Sequence, residues 1–366
     1  MTQHSDPVWM QRALALAQQG LYTTTPNPRV GCVLVNAQGQ AIGEGFTQPA
    51  GQAHAEVMAL RDAAARGAEV RGATAYVTLE PCSHQGRTGP CCDALLSAGV
   101  ARVVAAVEDP NPAVRGQGLA RLRAAGVAVT VGVLAEEARE LNIGFFKRMN
   151  QGLPWVRLKI AASLDGQTAL LSGASQWITA EPAREDGHRW RARACALLTG
   201  IGTVLEDNPT LNVRGVDTPR QPPLVIVDSR LETPPDAALF KPARAVWVYA
   251  AQAEPNRMAA LQAAGAQVRV LPDAQGKVDL QALMRDLAAQ GVNELHVEAG
   301  HKLNASLLRA GLVDELLVYL APLLLGQGRG MTALAGFTAL GEGLPMTFHE
   351  ISPIGPDLRI LARLRG

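Results

Sequence analysis

Residues 78–92 read TLEPCSHQGRTGPCC and place two cysteines, Cys82 and Cys91, on either side of a polar loop. A strand-like segment, 73–79, precedes the first cysteine, and a helix-like segment begins at the second. Upstream, the triplet HAE begins with His54 and opens another helix-like segment. One histidine and two cysteines give three zinc ligands and leave a fourth position for water, whereas a closed structural zinc site usually has four protein ligands. The pattern therefore predicts an open zinc site.

Glu56 follows His54 by two residues and is the candidate proton carrier of this site. Zinc lowers the pKa of a bound water to about 7, and a nearby carboxylate can take that proton and pass it to a leaving amine. Each motif alone is weak evidence for a metal site, because a lone cysteine is usually a small buried hydrophobe. Together, in this order, they predict hydrolytic zinc chemistry. Cys92 competes with Cys91 for the third ligand position.

Length and composition limit the classes of protein that fit. A chain of 366 residues predicts about two or three domains, and 48% hydrophobic with 18% charged residues is typical of a soluble globular protein. The net charge of +1 disfavours a protein that holds nucleic acid through its phosphates. Five cysteines, three of them close together, do not form a disulfide framework. The most apolar run, 316–325, is too short for a membrane span, so we expect a cytoplasmic protein with no membrane partner.

Strand-like and helix-like segments alternate along both halves of the chain, which predicts mostly parallel sheets with helices on their faces. A polar stretch at 147–153 marks a boundary, giving expected domains of 1–148 and 152–366. In the second half, 200–209 and 172–179 look like glycine-rich loops by composition. Because no intact G-x-G-x-x-G follows a strand there, the sequence does not predict a Rossmann domain.

The first half resembles the zinc-dependent nucleoside and nucleobase deaminases, whose signature is H-x-E…P-C-x-x-C. Here eight residues, 83–90, separate the two cysteines. With that insert, 78–92 resembles the deaminase half of the bifunctional riboflavin-biosynthesis deaminase/reductase family, as does TPNPRVGC at 25–32. The family usually has Thr-Pro-Pro-Cys where this chain has Gly89 in the first proline position. The resemblance implies a cytidine-deaminase-like three-layer α/β/α domain.

The resemblance also implies roles for individual residues of the first half. His54, Cys82 and Cys91 would be the zinc ligands, so Cys91 is favoured over Cys92, and Glu56 would be the catalytic residue. The implied substrate contacts are Asn27, His84 and Arg87.

The second half resembles the reductase domain of the same family, which has a dihydrofolate-reductase-like α/β fold and uses NADPH. The segments that carry this resemblance are KIAASLDG at 159–166, SGASQWIT at 172–179, GIGTVLEDNP at 200–209, and 211–214. The implied cofactor contacts are Ala161, Trp177, Thr203, Asp207, Ser229, Gly300, His301, Lys302, Leu303, Asn304, Ala305 and Ser306. The implied substrate contacts are Lys159, Ser175, Arg191, Leu211, Arg214 and Glu298.

The function that this resemblance implies is a pair of consecutive reactions. The first is zinc-dependent hydrolytic deamination of 2,5-diamino-6-ribosylamino-4(3H)-pyrimidinone 5′-phosphate. The second is NADPH reduction of the ribosyl group of 5-amino-6-(5-phosphoribosylamino)uracil to ribityl. The implied partner is a small phosphorylated pyrimidine, and the implied assembly is a homodimer or homotetramer.

Two alternatives share the zinc motif. A deaminase of a base within tRNA or DNA predicts a basic groove and leaves the second half without a role. A non-catalytic module, in which zinc only holds the fold, predicts a fourth protein ligand, either Cys92 or His84.

Overall fold

The computed structural model describes residues 5–83 and 89–364. The chain divides into two compact units, Met1–Gly152 and Leu153–Gly366. Within the described residues, none of the helices has the length and apolar character needed to cross a membrane.

The first unit contains a five-stranded sheet with helices on both faces. Its helices are α1 (Asp6–Gln18), α2 (Ala55–Ala65), α3 (Cys91–Ser97), α4 (Gln117–Ala124), α5 (Ala135–Leu141) and α6 (Ile143–Gln151). Its strands are β1 (Gly31–Val35), β2 (Ala41–Phe46), β3 (Thr74–Val77), β4 (Arg102–Ala105) and β5 (Ala128–Val131). The strand order is β2-β1-β3-β4-β5.

Glycines on β1 and β2 set the layering, because they let two helices approach the sheet closely. A Cβ on Gly31 would lie 1.9 Å from a backbone oxygen of α1, and one on Gly45 would lie 2.5 Å from a backbone nitrogen of α2. Gly45 pairs with Cys32, so its side-chain position faces the same way as that of Cys32 and opposite to that of Gly31. Helices α1 and α2 therefore pack on opposite faces, which gives the three layers that the sequence predicts.

The prediction of a mostly parallel sheet is only partly right for this unit. Strands β3, β4 and β5 are parallel, but β1 is antiparallel to both of its neighbours. The turn between β1 and β2 spans only 36–40 and is closed by hydrogen bonds to the Asn36 side chain. A connection this short cannot make the crossover that a parallel pair requires.

The second unit is built on a nine-stranded sheet. Its helices are α7 (Glu181–Arg193), α8 (Ile201–Asp207), α9 (Pro255–Ala263), α10 (Leu280–Ala289) and α11 (His301–Arg309). Its strands are β6 (Trp155–Ser163), β7 (Gln167–Leu170), β8 (Ala196–Gly200), β9 (Leu224–Val227), β10 (Val246–Ala250), β11 (Ala266–Val270), β12 (Glu294–Val297), β13 (Glu315–Ala321), β14 (Gly328–Gly330), β15 (Met346–Ile354) and β16 (Asp357–Leu364). The order is β11-β10-β9-β8-β12-β6-β13-β16-β15, and β7 pairs separately with β14.

The strands from β11 to β13 are parallel, so the carboxyl ends of β6, β8, β9 and β12 meet at one edge. Ligands of open α/β sheets bind at such an edge. The antiparallel hairpin of β15 and β16 completes the sheet and was not predicted from the sequence.

One segment differs from its sequence-based assignment. Residues 201–207 were predicted as part of a glycine-rich loop but form α8, which contains a single glycine, Gly202, and buries Val204. The polar stretch at 147–153 contains the division between the two units, and within it α6 continues to Gln151 and ends at Gly152, whose φ of 67° suits glycine.

Candidate active sites

The three predicted zinc ligands lie together in the first unit. The imidazole Nδ1 of His54 is 3.6 Å from the Cys82 Sγ and 3.3 Å from the Cys91 Sγ. All three ligand atoms lie within 4.8 Å of one another. This is the arrangement that a single metal ion with soft thiolate and imidazole ligands requires.

Each ligand is held by the end of a secondary-structure element. His54 caps the start of α2 with an extended backbone, and Cys91 is the first residue of α3. The Cys91 N–H donates to the Cys82 Sγ at 3.3 Å, and the Cys92 N–H donates to the Cys82 carbonyl at 3.2 Å. The Cys92 thiol itself points to Asp93, with Sγ 3.8 Å from Oδ1. Within the described residues, Cys91 and not Cys92 completes the cluster.

Glu56 is buried on the first turn of α2, with 3% of its surface exposed. Burial, with a contribution from the negative charge of Cys82, raises the pKa of Glu56 to about 7. The Cys91 thiol and His54 donate to Cys82 and lower the pKa of Cys82 to about 4, while the pKa of Cys91 is raised by the same hydrogen bond. The protons shared among these groups are those that a metal ion displaces on binding.

His54, Cys82 and Glu56 open into a cavity of about 480 Å³. That volume is in the range of small-molecule sites. Asn27, a predicted substrate contact, lies in its wall. The other two predicted contacts, His84 and Arg87, lie outside the described residues.

Sequence reasoning missed the residue that shapes the far wall of this cavity. Glu80 is buried beside the metal cluster, and its carboxylate accepts four backbone hydrogen bonds. The donors are the N–H groups of Asp109 (3.1 Å), Gly116 (2.9 Å), Gly118 (2.9 Å) and Leu119 (3.3 Å). Glu80 thereby fixes the loop that contributes Asp109, Asn111 and Val114 to the cavity. The Glu-Pro-Cys motif was the available signal, but its partners are not adjacent in sequence.

A second missed residue, Asn142, anchors the wall that holds Asn27. Its side chain accepts from the Arg29 N–H at 2.7 Å and donates to the Arg29 carbonyl at 2.8 Å. Asn142 is buried at the junction of α5 and α6, so the same contact fixes the start of α6. Phe145, Arg148 and Met149 of that helix line the cavity.

In the second unit, an ion-pair cluster forms at the carboxyl edge of the parallel strands. Glu298 accepts two hydrogen bonds from Arg191, from Nε at 2.5 Å and from Nη2 at 2.9 Å. The Lys159 Nζ lies 3.7 Å from Glu298, and the buried His296 Nε2 lies 3.3 Å from it. Burial alone would raise the pKa of Glu298, but Arg191 and Lys159 hold it well below its usual range. The pKa of Lys159 is lowered, chiefly by burial.

The segment with Leu211 and Arg214 borders this cluster. Arg191 also donates to the Asn212 carbonyl at 2.9 Å, and the Arg214 N–H donates to His188 Nδ1 at 3.2 Å. Burial and the charge of Arg191 lower the pKa of His188 to about 4, so the ring is a neutral acceptor at pH 7. The structure thus brings four of the six predicted substrate contacts into one region: Lys159, Arg191, Arg214 and Glu298.

The predicted cofactor residues fall into two groups. Thr203 on α8 lies 3.9 Å from where a Cβ on Gly300 would be, and Leu303 packs at 3.0 Å against the corresponding position of Gly200. The starts of α8 and α11 are therefore adjacent. Gly300 caps α11, and the first N–H groups of that helix, from His301 to Leu303, have no partner within it.

The remaining residues of the α11 segment are less accessible. Asn304 is buried and donates to the Met331 carbonyl at 3.1 Å, Ala305 is fully buried, and the Ser306 hydroxyl donates to the Lys302 carbonyl.

Other predicted residues lie elsewhere at or near the carboxyl edge. Ala161 is near the end of β6, Asp207 ends α8, and Ser229 follows β9 and accepts from the Val278 N–H at 3.2 Å. Ser175 and Trp177 lie on the separate loop between β7 and α7. Trp177 is 68% exposed, with the Arg184 guanidinium 4.6 Å from its ring centroid.

Comparison with known protein families agrees with these two folds. The family described as the cytidine and deoxycytidylate deaminase zinc-binding region matches residues 3–107. The family described as the RibD C-terminal domain matches residues 154–360. Fold, site and families together define a protein with a zinc-deaminase domain followed by a RibD-type reductase domain, which confirms the predicted fold classes.

Full-length relatives identify the family. The chain is 47% identical to riboflavin biosynthesis protein RibD of Escherichia coli K12, covering 96% of this chain and 98% of that protein. It matches the structure of Acinetobacter baumannii RibD with a TM-score of 0.90 and 42% identity, over 99% of both chains. A Thermotoga maritima structure, described as a diaminohydroxyphosphoribosylaminopyrimidine deaminase/5-amino-6-(5-phosphoribosylamino)uracil reductase, matches with a TM-score of 0.88 and 32% identity over 99% of both chains. The chain belongs to the RibD family of riboflavin-biosynthesis proteins.

Proposed function

We propose that this protein catalyses both reactions that the sequence implies. The first unit deaminates 2,5-diamino-6-ribosylamino-4(3H)-pyrimidinone 5′-phosphate, and the second reduces the ribosyl group of the deaminated product to ribityl. The observation that carries the proposal is the His54, Cys82 and Cys91 cluster, of which His54 and Cys82 line one cavity with the buried carboxylate of Glu56. The full-length similarity to the Thermotoga maritima deaminase/reductase supports the second half.

The donor set of the first unit fits zinc, because two thiolates and one imidazole are ligands that zinc prefers and three ligands leave one position open. When bound, zinc supplies an activated water at neutral pH. The Cys92 thiol contacts Asp93 and is not part of the cluster, which argues against Cys92 as a fourth protein ligand.

Glu56 carries the protons of the deamination. It is a buried carboxylate on the first turn of α2, directly beside the metal ligand His54, and a carboxylate in that position can both take and return a proton. Burial keeps bulk water away from the carboxylate, so the proton it holds passes to the departing amine rather than to solvent. Asn27 in the cavity wall hydrogen-bonds the edge of the pyrimidine.

The second unit binds the sugar phosphate and places it for reduction. Lys159 and Arg191 pair with Glu298, and Arg214 lies on the neighbouring segment, which gives a region with more positive than negative charge for an anionic ligand. Glu298 accepts from hydroxyl groups of the ribose, because its negative charge is fixed by the cations around it.

NADPH fits the carboxyl edge, where the start of α11 presents backbone N–H groups suited to a phosphate. When bound, it supplies the hydride. Thr203 and Gly300 lie close together at this edge and would contact the cofactor, with Ala161, Asp207, Ser229 and Trp177 on the surrounding segments.

The two activities are tested separately in the full-length protein. Glu56→Gln removes the proton carrier and leaves the three metal ligands, so we expect normal zinc content, loss of ammonia release, and unchanged NADPH oxidation on the deaminated intermediate. Lys159→Met removes a predicted substrate contact of the second unit, so we expect normal ammonia release and loss of NADPH oxidation on the deaminated intermediate. If either variant lost both activities while remaining folded, the assignment of one reaction to each unit would be wrong.

A homodimer or homotetramer in the cytoplasm remains a prediction. Light scattering of the purified protein measures the oligomeric state, and cell fractionation tests the cytoplasmic location.

A further inference from the structure

Helix α6 contributes a wall to the deaminase cavity although it follows all the zinc motifs. The deaminase zinc-binding region ends its match at residue 107, well before α6. Phe145, Arg148 and Met149 nevertheless line the cavity together with His54 and Glu56. The side chains of α6 therefore distinguish this pocket from one built only by the shared motif.

Among the described residues that line the cavity, carboxylates outnumber arginines and lysines. Its described lining includes three carboxylates, Glu56, Glu80 and Asp109, and among those residues Arg148 is the one arginine or lysine. Glu80 is already satisfied by four backbone N–H groups, and Asp109 accepts from the Asn111 N–H at 2.8 Å. Among the described lining residues, an anionic group therefore meets an arginine or lysine only at Arg148 of α6.

The position of Arg148 suits the binding of an anion. Its guanidinium carbon is 5.9 Å from the centroid of the Phe145 ring, and the side chain is half-buried. A guanidinium carries its charge and its N–H donors in one plane, a shape that matches a phosphate. The start of α6 is fixed through Asn142 and Arg29, so the helix is held against the loop that contains Asn27.

We propose that Arg148 binds the phosphate of the deaminase substrate, a phosphomonoester of a ribosylated pyrimidine. This rests on the proposed function, because it assigns one contact within that site. Arg148 lies in the predicted boundary segment 147–153 and was not among the predicted site residues.

The test compares Arg148→Met with Lys147→Met in the full-length, zinc-loaded protein. Both variants remove one positive charge from α6, but Lys147 does not line the cavity. Ammonia release is measured with the pyrimidinone phosphate and with the same compound lacking its phosphate. Loss of a charge-assisted contact corresponds to about a 10- to 100-fold fall in kcat/KM. We expect that fall for Arg148→Met with the phosphorylated compound only, partial recovery in Arg148→Lys, and no change for Lys147→Met.

Ligand affinity gives the same comparison of variants in a protein that does not turn the substrate over. In a Glu56→Gln background, calorimetric titration with the pyrimidinone phosphate should show a weaker Kd when Arg148→Met is added, and titration with the dephosphorylated compound should not. Equal losses with both compounds would show that Arg148 acts only on the fold, and unchanged affinity for both would exclude the contact. If the wild type released no ammonia, the proposed function would fail, and the titrations would still decide the role of Arg148.

Discussion

Glu80→Gln is the most informative perturbation of the deaminase unit. The substitution keeps the size of the side chain but replaces one carboxylate oxygen by an NH₂ group. Each oxygen of Glu80 accepts two backbone N–H groups, from Asp109 and Gly116 on one side and from Gly118 and Leu119 on the other. Whichever oxygen the amide nitrogen replaces, two backbone N–H groups lose their acceptor and face another N–H donor.

The cost follows from those contacts. A hydrogen bond to a charged group contributes about 1.5–3 kcal/mol, so losing two costs about 3–6 kcal/mol. That exceeds the effect of most single substitutions and corresponds to a fall in Tm of roughly 10 °C. Because Asp109, Asn111 and Val114 line the cavity from the released loop, we also expect KM for the pyrimidine to rise while zinc content stays near one per chain.

The assay is thermal unfolding followed by circular dichroism, with zinc content measured on the same samples. Glu69→Gln is the matched control, since it removes the same charge from an exposed side chain that accepts one backbone hydrogen bond. A Glu80→Gln protein within about 1 kcal/mol of wild type, or no less stable than the control, would refute the idea that this carboxylate holds the loop.

Two further predictions concern the same unit. Asn142→Ala removes the side chain that bonds the buried Arg29 N–H and carbonyl, so urea denaturation should show a free energy of unfolding lower by about 2–5 kcal/mol. Asn150→Ala, at the exposed end of α6, is the control and should change it little. Equal losses in the two variants would contradict this prediction. In the zinc-free protein, the pKa of Glu56 is about 7 when folded against an ordinary value of 4.5, so stability falls as the pH rises between those values. Zinc-free Glu56→Gln should therefore be about 3 kcal/mol more stable than zinc-free wild type at pH 8 and equal to it at pH 4, and the same difference at both pH values would disprove the effect.

The metal cluster was predictable because its signals are local. His54 and Cys91 stand at helix starts and Cys82 follows a strand, and those boundaries are visible in the order of residue types. The cavity walls were not predictable in the same way. Asn142 meets Arg29 across 113 residues, and only the folded chain brings the two together. Arg148 lies in the polar stretch from which the sequence predicts a domain boundary, and its place on a helix that lines the cavity is visible only in the folded chain.

Arg191 and Arg214 of the second unit differ in the partners that their guanidinium groups contact. The resemblance treats Arg191 and Arg214 alike, as substrate contacts. Arg191, however, directs Nε and Nη2 at the two oxygens of Glu298, and that pair of donors is the fork with which a guanidinium grips a phosphate. Arg214 is exposed and its Nη1 meets neutral oxygens of Thr210 and Asn212, which a phosphate displaces at little cost. We therefore propose that Arg214 binds the phosphate, and that Arg191 sets the position and charge of Glu298 for the ribose.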